Sequence, residues 1–166
     1  TVGFNTIPIG QLSQASLFLI IMLMVVGASP SGTGGGLKTT TFSARVGAIR
    51  SALLGRDKVT FWRKEIPEDR IRLAIASLGF YVGALLAGCY LLALSEALPF
   101  EGLLFEAASA LGTVGLSTGL TAQLTPIGKL ILVLLMFIGR LGPLTFGVAL
   151  FLPSGPRRRG KDDLAI

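Results

Sequence analysis

Two short stretches carry residues suited to holding a bare cation: Thr1-Val2-Gly3-Phe4-Asn5-Thr6 and Thr113-Val114-Gly115-Leu116-Ser117-Thr118. Each sets one glycine among small or apolar neighbours, and each adjoins a long apolar segment. Glycine accepts backbone angles that other residues resist, so successive carbonyl oxygens around it can be aimed at one point. Rings of such oxygens replace the water shell of a monovalent cation. Chemistry of this kind needs no catalytic side chain. The chain has no histidine, and its one cysteine, Cys89, lies inside an apolar run. The usual metal ligand, the usual general base and a disulfide framework are all missing. The chain reads as a non-enzyme with no covalent cofactor, and Cys89 as a small buried hydrophobe.

Two further features place flexibility or charge where an apolar segment should continue. The first is Gly27 to Lys38, which holds Gly27, Gly32, Gly34, Gly35 and Gly36 and ends on Lys38. It follows the apolar run Ala15 to Val26, for which Ser13 is a plausible N-cap. Twelve residues rise about 18 Å as a helix, short of the ~30 Å hydrocarbon core, so that run cannot cross a membrane alone. Irregular backbone at membrane depth is tolerated only when buried in protein or lining a water-filled cavity. The spacing therefore predicts a discontinuous helix with an intramembrane loop over 27–38. A phosphate cradle is a poor alternative: the nucleotide pattern needs glycine directly before its lysine, and Leu37 precedes Lys38. The second feature is Arg140, near the middle of the apolar run Ile127 to Leu152. An arginine at the bilayer centre costs at least ~2.5–3.5 kcal/mol, so it should face a polar interior. Pro143 removes the donor for the Gly139 carbonyl and should bend the helix there.

The elements that position these groups are those of a membrane protein. Of the 166 residues 51% are hydrophobic and only 14% charged, against about 25% in an average soluble domain, and the mean hydropathy is +0.72. The net charge of +6 is confined. Nine of the fifteen Lys and Arg lie from Lys38 to Arg72 and four in the tail at Arg157, Arg158, Arg159 and Lys161. The 95–126 stretch has none but holds Glu96, Glu101 and Glu106. This asymmetry predicts a cytoplasmic middle loop and C-terminus, with 95–126 facing out, and leaves no case for nucleic-acid binding.

Along the chain the expected organisation is as follows. Residues 1–54 hold a glycine segment and the broken helix, and 55–68 form a cytoplasmic linker. Residues 69–152 form a complete unit: an outer helix at 71–95, a short re-entrant helix at 100–111, the glycine segment at 113–118 and an inner helix at 127–152. Residues 153–166 are a basic tail. The G-x-x-x-G of Gly79 and Gly83, with Ala84 and Gly88 repeating the small-residue spacing, offers a face for close helix approach. Glu106, on the short helix, is expected to anchor the backbone after it by hydrogen bonds rather than to bind an ion. The two glycine segments belong to a repeat: an offset of 112 places Thr113, Val114, Gly115, Thr118, Gln123, Leu124, Leu135 and Gly139 on Thr1, Val2, Gly3, Thr6, Gln11, Leu12, Leu23 and Gly27 without a gap. In the same register Arg140 falls on Ala28, level with the start of the glycine loop. The chain starts without Met inside a motif, and is expected to be the C-terminal portion of a longer protein.

With the Gly-Thr-Gly-Gly-Gly-Leu-Lys-Thr core of the loop, Phe105–Thr118 and Met136–Thr145, the sequence resembles the Trk/Ktr/HKT superfamily of potassium transporters, in particular the bacterial Trk/Ktr membrane subunit. The resemblance implies an all-α integral membrane fold of potassium-channel-like repeats, here the end of the third and all of the fourth. It implies carbonyl ligands for potassium, the transported substrate, at Val2, Gly3, Val114 and Gly115. It implies a gate made of the 27–38 loop and Arg140, the arginine forming a positive barrier beneath the filter. It also implies a homodimer in the bacterial cytoplasmic membrane, bound to a cytosolic nucleotide-binding regulatory ring. A sodium-permeable transporter of the same family and a non-conducting membrane scaffold are the alternatives.

Overall fold

A short helix buried along most of its length after an exposed first turn occupies the middle of the structure, and three longer or more exposed helices surround it. The computed structural model describes residues 3–27, 34–35, 46–47, 51, 60–61, 64–65 and 68–142. Most of the expected loop at 27–38 and of the expected linker at 55–68, and all of the 153–166 tail, lie outside them.

Helix α1 (Gln14–Val26) starts where the Ser13 side chain accepts a hydrogen bond from the Ser16 amide and stops at Gly27, whose φ is +71°. Thr60–Phe61 and Lys64–Glu65 pair as a two-residue antiparallel hairpin, β1 and β2, inside the expected linker. Helix α2 (Glu68–Ser95) follows. Its Ile71–Ser95 portion is 25 residues long and apolar enough to cross a membrane. Helix α3 (Phe100–Leu111) starts after Pro99, which cannot continue a helix backwards, and carries Glu101 in its first turn. Helix α4 (Pro126–Leu141) has Pro126 in its first turn, with the Thr125 hydroxyl accepting from the Gly128 amide. The two N-caps, Ser13 and Thr125, are 112 residues apart and bond the amide three residues on in each copy.

The expected inner helix over 127–152 is shorter where it is described. It ends at Leu141, and Gly142 takes φ +84°. The physical reason is local: Pro143 has no N–H for the Gly139 carbonyl and disfavours helical angles at the residue before it. Positions 143–152 lie outside the described residues.

From Leu103 to Leu111 every residue of α3 is buried except Leu104, which is half-buried. The helix packs on α1, α2 and α4. Tyr81, Leu85, Cys89 and Leu92 form one stripe of α2 in this core, joined by Leu132 and Leu135 of α4. Close approach of α2 and α4 depends on Gly88, where a Cβ would lie 2.7 Å from the Leu135 methyls. The G-x-x-x-G pair does not serve this packing: Gly79 and Gly83 are exposed and have nothing within 4 Å of an added Cβ. The outward faces are apolar, with Phe18 and Leu23 on α1, Leu86 and Leu94 on α2, and Leu130 and Phe137 on α4. Faces of this kind suit lipid or further protein, not water.

Candidate functional site

The segment after α3 is held by the helix that precedes it. The Gly112 amide donates to the Ala108 carbonyl (2.8 Å), Thr113 to Ala110 (3.1 Å) and Val114 to Ser109 (2.9 Å). The Ser109 hydroxyl donates to the Leu116 carbonyl at 2.6 Å. One helical turn back, the buried Glu106 carboxylate accepts four bonds. Ser117 Oγ (2.7 Å), the Thr118 amide (2.9 Å) and Thr118 Oγ1 (3.0 Å) reach Oε1, and Thr121 Oγ1 reaches Oε2 at 2.6 Å. A carboxylate only accepts, and here four donors converge on it. The 116–121 stretch is thus fastened by Ser109 and Glu106, an i, i+3 pair on one face of α3.

What these contacts leave over is informative. Among the described residues, no backbone N–H is bonded to the carbonyls of Thr113, Val114 or Gly115. Gly115 has φ +87° and is exposed; Gly3, in the first copy, has φ +76° and is half-buried. These angles are costly for any residue with a Cβ. The two glycines also face one another: a Cβ on Gly3 would lie 3.1 Å from the Val114 oxygen and 3.4 Å from the Gly115 Cα, and one on Gly115 would lie 3.4 Å from the Gly3 Cα. Two carbonyl-bearing segments from separate copies of the repeat therefore meet at their glycines, with no ionised side chain among Gly3, Val114 and Gly115.

Glu96, just past α2, makes a second buried carboxylate site. It accepts from the Thr125 amide (3.0 Å) and the Thr125 hydroxyl (2.5 Å), joining the end of α2 to the start of α4. At the surface, Gln14 of α1 donates to the Glu101 carboxylate of α3 (3.0 Å). Both links fix the angles at which helices leave the glycine segments.

Of the residues singled out from sequence, Gly3, Val114 and Gly115 come together, while Val2 lies outside the described residues. Gly32, Gly36 and Lys38 also lie outside them. Gly27 ends α1 and is separated from Gly3 by the length of that helix. Gly34 is half-buried and Gly35 buried. Gly35 reaches the base of the 113–118 segment, its amide donating to Thr113 Oγ1 at 2.6 Å. It also lies against α4, where an added Cβ would come within 2.6 Å of the Gly139 oxygen, one residue before Arg140. Arg140 itself occupies the last turn of α4. Sequence reading missed the roles of Ser109, Thr113, Ser117 and Thr121. The signal for Ser109 was its spacing from Glu106; the others needed the turn geometry.

A family model described as TrkH, cation transport protein, matches residues 1–157. Among curated proteins, the chain is 37% identical over 146 residues to the Ktr system potassium uptake protein B of Bacillus subtilis, covering 88% of this chain and 33% of that protein. It is 40% identical over 145 residues to the Ktr system potassium uptake protein D of the same organism, covering 87% and 32%. It is 33% identical over 158 residues to the potassium/sodium uptake protein NtpJ of Enterococcus hirae, covering 93% and 35%. The chain spans about a third of the length of these relatives.

Proposed function

Because the chain belongs to the TrkH family of cation transport proteins, we propose that it is part of the pore-forming subunit of a potassium uptake system in the bacterial cytoplasmic membrane. The observation that carries this reading is the meeting of Gly3 and Gly115, each at positive φ, beside carbonyls of Thr113, Val114 and Gly115 to which no backbone N–H among the described residues is bonded. In the proposal, Val2, Gly3, Val114 and Gly115 supply backbone oxygens that replace the hydration shell of potassium, the transported substrate. Helix α3 points the negative end of its dipole toward that path. The loop at 27–38 and Arg140 form the gate: a cation passing Arg140 meets a positive charge beneath the filter. Other parts of the longer protein complete the ring of walls. The Ktr names of the relatives support a multicomponent system, in which a homodimer of the full subunit carries a cytosolic nucleotide-binding regulatory ring. The charge distribution supports a cytoplasmic C-terminus.

The test is potassium flux through the reconstituted full-length parent. Gly115→Ser is expected to abolish or strongly reduce selective potassium flux; flux unchanged in that variant refutes the filter role. Arg140→Ala and deletion of Gly34 to Gly36 are each expected to raise leak. A scaffold without conduction predicts that Arg140→Ala alters assembly alone. A second reading, passage of sodium as well, is favoured by the resemblance to a relative named for both ions, and the potassium-to-sodium flux ratio decides it.

A further inference from the structure

Thr113 is the one described residue other than glycine with positive φ, at +51°. A β-branched side chain in this region is strained and persists only where its surroundings hold it. From its own helix the Thr113 amide is held by the Ala110 carbonyl. On the other side its hydroxyl accepts the Gly35 amide at 2.6 Å. Gly35 is buried in a notch that admits no side chain: an added Cβ would lie 2.7 Å from Thr113 Cγ2 and 2.6 Å from the Gly139 oxygen. Gly139 is equally confined, since its Cβ would overlap the Leu111 carbonyl. The notch has a sequence origin, because Pro143 offers no N–H to the Gly139 carbonyl, leaving that oxygen without its helical donor.

Resting on the gate-and-filter reading above, we propose that Thr113 is a positioning residue that latches the Gly34–Gly35 stretch to the base of the filter, so that loop release and filter geometry change together. With the loop seated, the Gly35 amide fixes the Thr113 hydroxyl and with it the left-handed backbone that aims the first filter carbonyl. When Gly35 leaves, that constraint goes, Thr113 relaxes toward ordinary angles, and its carbonyl turns away. Opening of the gate thereby alters the innermost ion position.

The experiment uses the full-length parent in a cysteine-free background carrying Gly34→Cys, with the rate of modification by a water-soluble maleimide as the measure of loop release. Thr113→Val, which keeps shape and loses the hydroxyl, is expected to raise that rate roughly three- to tenfold, the range one neutral hydrogen bond supports. Thr113→Ser, which keeps the hydroxyl, is expected to label at the rate of the parent background. The potassium-to-sodium flux ratio should fall in the valine variant in parallel. Gly35→Ala attacks the same contact from the loop side and should raise labelling even if Thr113→Val does not assemble. Equal labelling of the valine and serine variants, or faster labelling with an unchanged ion ratio, overturns the latch. A parent that carries no potassium yet shows the labelling difference refutes the gate-and-filter reading, while a conducting parent without the difference refutes the latch alone.

Discussion

Replacing Glu106 is the sharpest perturbation of the site, because one carboxylate holds three residues of the segment that follows the Gly115 turn. Glu106→Ala removes the acceptor for four donors. Their losses differ. Ser117 Oγ and Thr121 Oγ1 lie 3.1 Å apart and can pair with each other, and the Thr118 hydroxyl can rotate. The Thr118 amide cannot turn. A hydrogen bond to a charged group is worth about 1.5–3 kcal/mol, and at 1.4 kcal/mol per tenfold that one contact shifts the population of a displaced segment roughly ten- to a hundredfold. Glu106→Gln keeps an oxygen at one end and loses the charge that makes such bonds about twice as strong, so it should fall between the parent and the alanine variant. The assay is the potassium-to-sodium flux ratio of the reconstituted full-length parent, normalised to protein in the vesicles. The expected order is glutamate, glutamine, alanine, with at least a tenfold loss of discrimination at alanine. An alanine variant that assembles normally and keeps the ratio within about twofold refutes the claim that these bonds set the shape of the proposed filter.

Three stability predictions follow from the packing, each read as thermal unfolding of the detergent-solubilised parent. Gly88→Val should overpack against Leu135 and destabilise by about 1–3 kcal/mol, whereas Gly79→Ala should be neutral or stabilise by up to ~1 kcal/mol; the reverse order would remove Gly88 as the contact point. Thr125→Ala removes the α4 cap and one partner of Glu96, and should lower stability by about 1–2 kcal/mol; no change would mean that the cap is dispensable. Tyr81 is fully buried and its hydroxyl has no hydrogen-bond partner among the described residues, so Tyr81→Phe should leave the melting temperature unchanged or raise it, and a marked fall would reveal a partner for that oxygen.

How much of this could be read from the residues depended on the range of the interaction. Helix α3 was legible to the residue, because Pro99 and Gly112 bracket an apolar stretch too short to span. The Ser13 cap was legible for the same local reason. The 112-residue offset brought out the two glycine segments, since identical backbone demands leave identical residues. The end of α4 was only half visible: Pro143 pointed to a disturbed helix, the described helix stops at Leu141, and the expected bend falls on residues outside those described. Small-residue spacing was an unreliable guide to packing, because Gly79, Gly83 and Gly88 differ only in what lies opposite them. The Gly35–Thr113 contact joins positions 78 apart and leaves no periodic trace. Nothing short of the fold could have found it.

The burial of α3 from Leu103 onward has a consequence for how the protein is made. Twelve residues, about 18 Å, cannot span a bilayer, and the carboxylate of Glu106 is satisfied by residues 117 to 121, which leave the ribosome after it. Its packing partner α4 comes later still. During synthesis α3 therefore has only α1 and α2 to pack on and an unsatisfied Glu106 until the chain beyond it has been delivered, and it should remain at the membrane surface in the interval. Chains stalled with 118 as the last emerged residue should leave a cysteine at Leu103 open to a water-soluble reagent, and chains stalled past 141 should protect it; protection at both lengths would contradict this order. The helix at the centre of the structure is made before its neighbour α4 and settles after it.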